Sequence, residues 1–202
     1  MAALAAGVDA PVYLVTQEVM EAIAGFRFHR GALAAADRAP LADAADVVAG
    51  TDRLLVVEGV SDNENLGGLF RNAAAFGVGG VLLDPTTADP LYRRSVRVSS
   101  GHVLRIPFAR VPDWPVPAIA RLQAQGFEVA ALTPSPTADD LRTLAPAAGR
   151  RWALVVGAEG PGLSPAALAA ADRRVRITMA PGVDSLNVAT AAAIALHHLA
   201  AG

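Results

Sequence analysis

Three short cassettes hold the residues of this 202-residue chain whose types and spacing could do chemistry: Asn65-Leu66-Gly67-Gly68-Leu69-Phe70-Arg71, Val155-Val156-Gly157-Ala158-Glu159-Gly160-Pro161-Gly162, and Met179-Ala180-Pro181-Gly182-Val183-Asp184-Ser185-Leu186-Asn187-Val188. At helical spacing Arg71 lies one turn beyond Gly67 and Gly68 and one turn before Ala74 and Ala75. Its guanidinium rises from a face of small residues where a bulky ligand can approach, while Leu66, Leu69, Phe70 and Ala73 mark a core side. The glycines of the second cassette let a backbone turn sharply at a strand end and come close to a flat ligand. Their order is not the dinucleotide fingerprint. In the third cassette Ser185 or Asn187 can cap the Ala-rich stretch that follows. Each cassette also has a structural reading: a capped helix with a surface arginine, a glycine turn, a helix cap beside core residues.

Composition removes several competing chemistries. With no cysteine there is no thiolate nucleophile, disulfide or Cys-based zinc site. All 17 basic residues are arginine, so there is no Walker-type lysine, Schiff base or lysine general base. His29, His102, His197 and His198 lack metal-ligand spacing, and no metal is expected. Asp139-Asp140 reads as a solvated loop pair. The net charge of −2 argues against wrapping of nucleic acid by bulk charge, so any such contact must be local. Two clusters could supply it: Arg93, Arg94 and Arg97 beside Tyr92, and Arg173, Arg174 and Arg176. No apolar run approaches a membrane span and the start lacks signal-peptide character, so a soluble cytoplasmic protein is the expectation.

The elements that must position the cassettes follow from alternating apolar runs and Ala-rich stretches, which read as β-α units around a mainly parallel sheet flanked by helices. Strands are expected at Leu54–Val57, Val78–Leu83, Val103–Phe108, Phe127–Leu132, Trp152–Val156 and Val175–Thr178. Helices are expected at Leu66–Phe76, capped by Asn65, and at Pro115–Gln125, Pro165–Ala171, capped by Ser164, and Val188–Ala200. Thr133–Asp140, with two prolines, is a loop. Residues 1–50 hold a strand-like run at Val12–Val15, a helix at Gln17–Ala24 and the sequence Phe26-Arg27-Phe28-His29-Arg30-Gly31. They are too few to complete a core of their own.

From about Arg53 to the C-terminus, the order and spacing of the cassettes resemble the three signature motifs of the SpoU/TrmH branch of the SPOUT superfamily. These are S-adenosylmethionine-dependent RNA ribose 2′-O-methyltransferases. The resemblance implies a methyltransferase domain over 51–202 with a C-terminal trefoil knot, acting as a homodimer on rRNA or tRNA. It implies that residues 1–50 are a partial L30e-like substrate-binding segment. By the same resemblance Arg71 is the catalytic arginine, and Asn65, Glu159, Ser185 and Asn187 arrange the catalytic site. Thr133, Gly157, Ile177, Met179 and Leu186 then hold S-adenosylmethionine. A guanidinium stays protonated and is poorly suited to proton abstraction, so gripping phosphate and stabilising a developing alkoxide is the preferred role. The rival reading is a non-catalytic RNA-binding module that keeps the pocket; a small-molecule nucleotide-binding enzyme comes third.

Overall fold

The computed structural model describes residues 9–27, 32–145 and 149–200, in two units divided between Ala39 and Pro40. In the first unit, helix α1 spans Gln17–Ala24, with the Thr16 hydroxyl accepting the Val19 amide and Gly25 closing it at φ 74°. None of its residues is buried. The run Val12–Val15 is not a strand: it is unpaired, with Tyr13 and Leu14 79% and 90% exposed. Among the described residues of this unit, no neighbouring strand offers it a hydrogen-bond ladder. Phe28–Gly31, including His29, lies outside the described residues.

The second unit is a three-layer α/β/α domain. Its strands are β1 (Arg53–Glu58), β2 (Gly80–Leu83), β3 (Phe108–Arg110), β4 (Glu128–Leu132), β5 (Asp139–Asp140), β6 (Trp152–Gly157) and β7 (Arg173–Arg176). Among the described residues they form one sheet, ordered β3-β2-β1-β6-β4-β7-β5, in which every pairing is parallel. A parallel sheet covered on both faces explains the uninterrupted apolar runs at its centre. Alternate residues serve opposite faces. Leu55, Val57, Leu154 and Val156 enter one core beneath α3 (Asn63–Ala75) and α7 (Val188–Ala200). Leu54, Val56, Ala153 and Val155 enter the other, beneath α2 (Ala44–Ala49), α5 (Val116–Ala124) and α6 (Pro165–Ala170).

Local chemistry moves several expected boundaries. Helix α3 is capped by Asp62, whose carboxylate accepts the Glu64 and Asn65 amides at 2.8 Å, and Asn65 lies inside the first turn. Ser164 and Pro165 start α6 as expected. Val103 does not begin a strand, because the turn at Ser100 and Gly101, both at positive φ, runs into one 3₁₀ turn over His102–Leu104. There the helical spacing of Val103 and Ile106 packs both against the α3 side of the core. The sequence reading passed over α4 (Arg93–Val98) and β5. Asp139 and Asp140 do more than solvate a loop, since they form the sheet edge beside β7. The last expected strand ends early at Arg176, leaving Ile177–Ala180 irregular.

Candidate active site

Ligand sites of open parallel sheets gather outside the carboxyl ends of the strands. Here β4 ends into Thr133, β6 ends in Gly157, and β7 ends before Ile177. Together with the approach to α7 these segments enclose a cavity of about 410 Å³. Its wall contains all five residues expected to hold a cofactor, Thr133, Gly157, Ile177, Met179 and Leu186, together with Glu159, Ser185 and Asn187. Leu132, Pro134, Val156, Ala158, Gly160, Gly162, Val188 and Ala191 complete it. Gly160 and Gly162 belong to the turn expected to approach a flat ligand, and Val156, Ala158 and Val188 lie within the cassettes, whereas Leu132, Pro134 and Ala191 were not marked for the site. Leu132 could have been found as the residue preceding Thr133 at a strand end, and Ala191 as the residue one turn beyond Asn187.

The three cassettes meet at one side-chain amide. Asn187 Nδ2 donates to Asn65 Oδ1 at 2.6 Å and to Glu159 Oε1 at 2.8 Å. Its Oδ1 accepts the Ala189 and Thr190 amides at 3.0 and 3.1 Å, capping α7. Every donor and acceptor direction of the group is then engaged, and a flipped amide would face donors with donors. A further tie runs from Asn72 Nδ2 to the Ala189 carbonyl at 2.7 Å, fastening α3 to α7.

The glycines serve close approach of the chain to itself. A Cβ at Gly157 would lie 2.4 Å from the Gly162 carbonyl carbon and 2.5 Å from the Leu163 nitrogen, so the loop folds back onto this residue. Gly67 lies against the Ser95 carbonyl and Val98 of α4, and Gly68 against Ala189 of α7. The small-residue face of α3 is therefore filled by the chain's own helices at that level. Arg71, one turn on and angularly between the two glycines, is exposed and has no hydrogen-bond or ion-pair partner among the described residues.

A model of the SpoU rRNA methylase family matches residues 52–197. An "uncharacterized tRNA/rRNA methyltransferase" of Mycobacterium tuberculosis is 50% identical over 205 residues, covering 98% of this chain and 71% of that protein. This chain belongs to the SpoU rRNA methylase family. Among solved structures, the SpoU methyltransferase AviRb of Streptomyces viridochromogenes, in complex with AdoMet, superposes with a TM-score of 0.70 at 26% identity. That match covers 80% of this chain and 64% of AviRb. An AdoMet-bound rRNA methyltransferase of Sinorhizobium meliloti gives 0.65 at 32% identity, over 73% of this chain and 55% of that one. This SpoU family member thus spans less than two thirds of both solved relatives.

Other expected site residues are placed differently from the cavity group. Arg71 does not line the cavity. Arg94 forms an ion pair with Glu64 at the start of α3, so its charge is already matched. Arg93 and Arg97 lie on the exposed side of α4 beside Tyr92, itself 56% exposed. In the second cluster Arg173 pairs with Asp139 at 3.0 Å and Arg176 Nε donates to the Ala138 carbonyl, so both fasten β5 to β7. Arg174 remains exposed. Asp140, paired with Arg142 and accepting the Thr178 hydroxyl, is held far below the usual carboxylate range by these hydrogen bonds. It thereby anchors the segment between Ile177 and Met179. Among the described residues no His, Asp and Glu side chains cluster as a metal site, and no helix is long and apolar enough to cross a membrane.

Proposed function

We propose that this chain is an S-adenosylmethionine-dependent RNA methyltransferase acting on a ribose 2′-hydroxyl of rRNA or tRNA. The observation that carries the reading is the junction at Asn187, where one amide joins Asn65 of the first cassette and Glu159 of the second at the wall of a single cavity. A cavity of this size suits a nucleoside-sized ligand. Its lining fits S-adenosylmethionine: Ile177, Met179 and Leu186 offer apolar surface to an adenine ring and a methionine chain. Thr133, Glu159, Ser185 and the glycine-loop backbone offer polar groups. When bound, the cofactor supplies an electrophilic methyl group, whose transfer to a hydroxyl needs neither a metal nor a covalent enzyme intermediate.

The chain's own residues then orient the acceptor and ease the loss of its proton. Arg71 presents an unmatched planar fork of donors that suits an RNA phosphate and the charge developing on the ribose oxygen. A guanidinium is a permanent cation and not a base, which leaves the proton to the phosphate or to solvent. Asn65 and Glu159, held by Asn187, fix the approach of the catalytic helix to the cofactor loop. Arg93 and Arg97 extend the cationic surface toward RNA. The position of Arg71 outside the cavity wall supports a site completed by a second copy of the chain. Residues 1–50, as a partial L30e-like segment, and the C-terminal trefoil knot belong to the same reading.

The test is incubation of the protein with labelled S-adenosylmethionine and total RNA, followed by mapping of 2′-O-methyl positions. Label at ribose hydroxyls of discrete nucleotides is expected. Cofactor binding without transfer to any RNA would instead favour the non-catalytic module, and label on a base would overturn the ribose assignment.

A further inference from the structure

We propose that Glu58 is a positioning residue that latches the cofactor loop, a role resting on the reading of the cavity as an S-adenosylmethionine site. Glu58 ends β1 and stands in register with Gly157 of β6. Neighbouring residues of parallel strands project to the same face of a sheet. On that face of Gly157 lies the loop's own backbone, the Gly162 carbonyl carbon and Leu163 nitrogen, as the forbidden Cβ position shows. The Glu58 side chain therefore extends beneath the returning limb of the loop. Its Oε1 accepts the Ser164 amide at 3.0 Å. Its other oxygen, Oε2, is buried without a hydrogen-bond partner among the described residues.

The loop thus has two fastenings. One is internal, the Ala158–Gly162 bridge, with the Gly162 amide donating to the Ala158 carbonyl at 3.0 Å. That bridge holds the loop's shape. The other is Glu58, which ties the end of the loop to the sheet and so sets the height at which Gly157, Ala158, Glu159 and Gly160 stand at the cavity wall. The next residue, Gly59, starts the connection to α3. Its amide donates to Asp84 at 3.0 Å, so the end of β1 is itself held. Glu58 therefore relays a fixed point of the sheet to the cofactor loop. What matters is the reach of the carboxyl oxygen, since the partner is an uncharged amide.

Reach and charge separate in three variants. Glu58→Gln keeps an acceptor oxygen at the same distance without the charge, Glu58→Asp keeps the charge one methylene short, and Glu58→Ala removes both. Hydrogen exchange over residues 158–164 is measured on the ligand-free proteins, and titration calorimetry follows S-adenosylmethionine binding. We expect faster exchange and roughly tenfold weaker binding in Glu58→Ala and Glu58→Asp, the worth of one hydrogen bond. Glu58→Gln should stay within about threefold of the parent. Parental exchange in Glu58→Asp, or a ranking in which Asp binds well and Gln poorly, would overturn the latch. Faster exchange with unchanged affinity would overturn its role in positioning the cofactor. Should Glu58→Ala fail to fold, the Asp and Gln pair decides alone. Failure of the parent chain to bind the cofactor would refute the reading of the cavity, while exchange would still decide the latch.

Discussion

Arg71 and Asp84 show how differently two charged side chains can be used. Arg71 is exposed, unmatched and outside the cavity, so its removal should leave the cofactor wall intact. Arg71→Ala is expected to lower methyl transfer by roughly a hundred- to thousandfold, the loss of one charged donor at a developing oxyanion. Cofactor affinity measured by calorimetry should not change. Arg71→Lys should fail as well, because a point ammonium lacks the planar fork. Transfer by Arg71→Ala within a few fold of the parent would return Arg71 to a surface residue. Asp84 is buried at the end of β2. Burial alone would raise its pKa, but hydrogen bonds from the Thr86 and Thr87 hydroxyls and the Gly59 and Thr87 amides outweigh it, and the net shift is downward from 3.8. A carboxyl with a depressed folded pKa contributes its stability in full above the unfolded value. That stability is lost as pH falls from about 4 through the lower folded pKa. Urea unfolding at a series of pH values should therefore show a shallower acid slope in Asp84→Asn than in the parent.

At the scale of elements, α3 is held by contacts in which the absence of a side chain is the working part. Gly67→Ala would place a Cβ 2.8 Å from both the Ser95 carbonyl oxygen and Val98 Cβ, neither of which can swing aside. The expected result is a loss of about 1–3 kcal/mol by chemical denaturation, typical of overpacking. At Gly68 the nearest atom is Ala189 Cβ at 3.0 Å, a tight contact with one methyl group. The helix-propensity gain of about 0.5–1 kcal/mol offsets it, so Gly68→Ala should be close to neutral. Equal effects at the two sites would show that α4 is not seated on Gly67. From the sequence, the small-residue face at these glycines was expected to admit a bulky ligand. The occupants are α4, which the sequence reading passed over, and α7. A six-residue helix with the composition Arg-Arg-Ser-Val-Arg-Val has a β-branched, arginine-rich pattern that propensity alone reads poorly. Its seat on Gly67, the Ser95 hydroxyl bonded to Asn63 and the Arg94–Glu64 pair reveal what holds it.

For the whole molecule, the central strands were legible because both faces of the sheet are covered, which writes them as continuous apolar runs between turn signals. Strand ends and glycine turns mark where a parallel sheet opens, which made the region of the cavity legible; Thr133, Ile177, Met179 and Leu186 themselves came only from the resemblance to the SpoU/TrmH motifs. Long-range partners were not legible. Nothing local to Asn65 says that it meets Asn187 across 122 positions, whereas the cap was a local choice in which Asp62, three residues earlier and an equally good capping type, takes the role. β5 exists only through its pairing with β7. If the site is completed by a second copy, the molecule should scatter light as a dimer at tens of micromolar. A monomer mass that persists in the presence of S-adenosylmethionine would rule out a shared site.

The strand order also governs when a working molecule can exist. β1 and β4 never touch each other, and β6, made about a hundred residues after β1, is inserted between them. A chain emerging from the ribosome can pair β1, β2 and β3, but must leave β4 without its central neighbour until Trp152 and the residues after it are free. Such non-local parallel pairing is slow, and the waiting strand edges are open to other chains. Synthesis rate and chaperone supply, more than the final stability of the sheet, should therefore set the yield of soluble protein. The glycine loop, β7 and α7 are all made after β6, so no chain released before them can present a cofactor pocket.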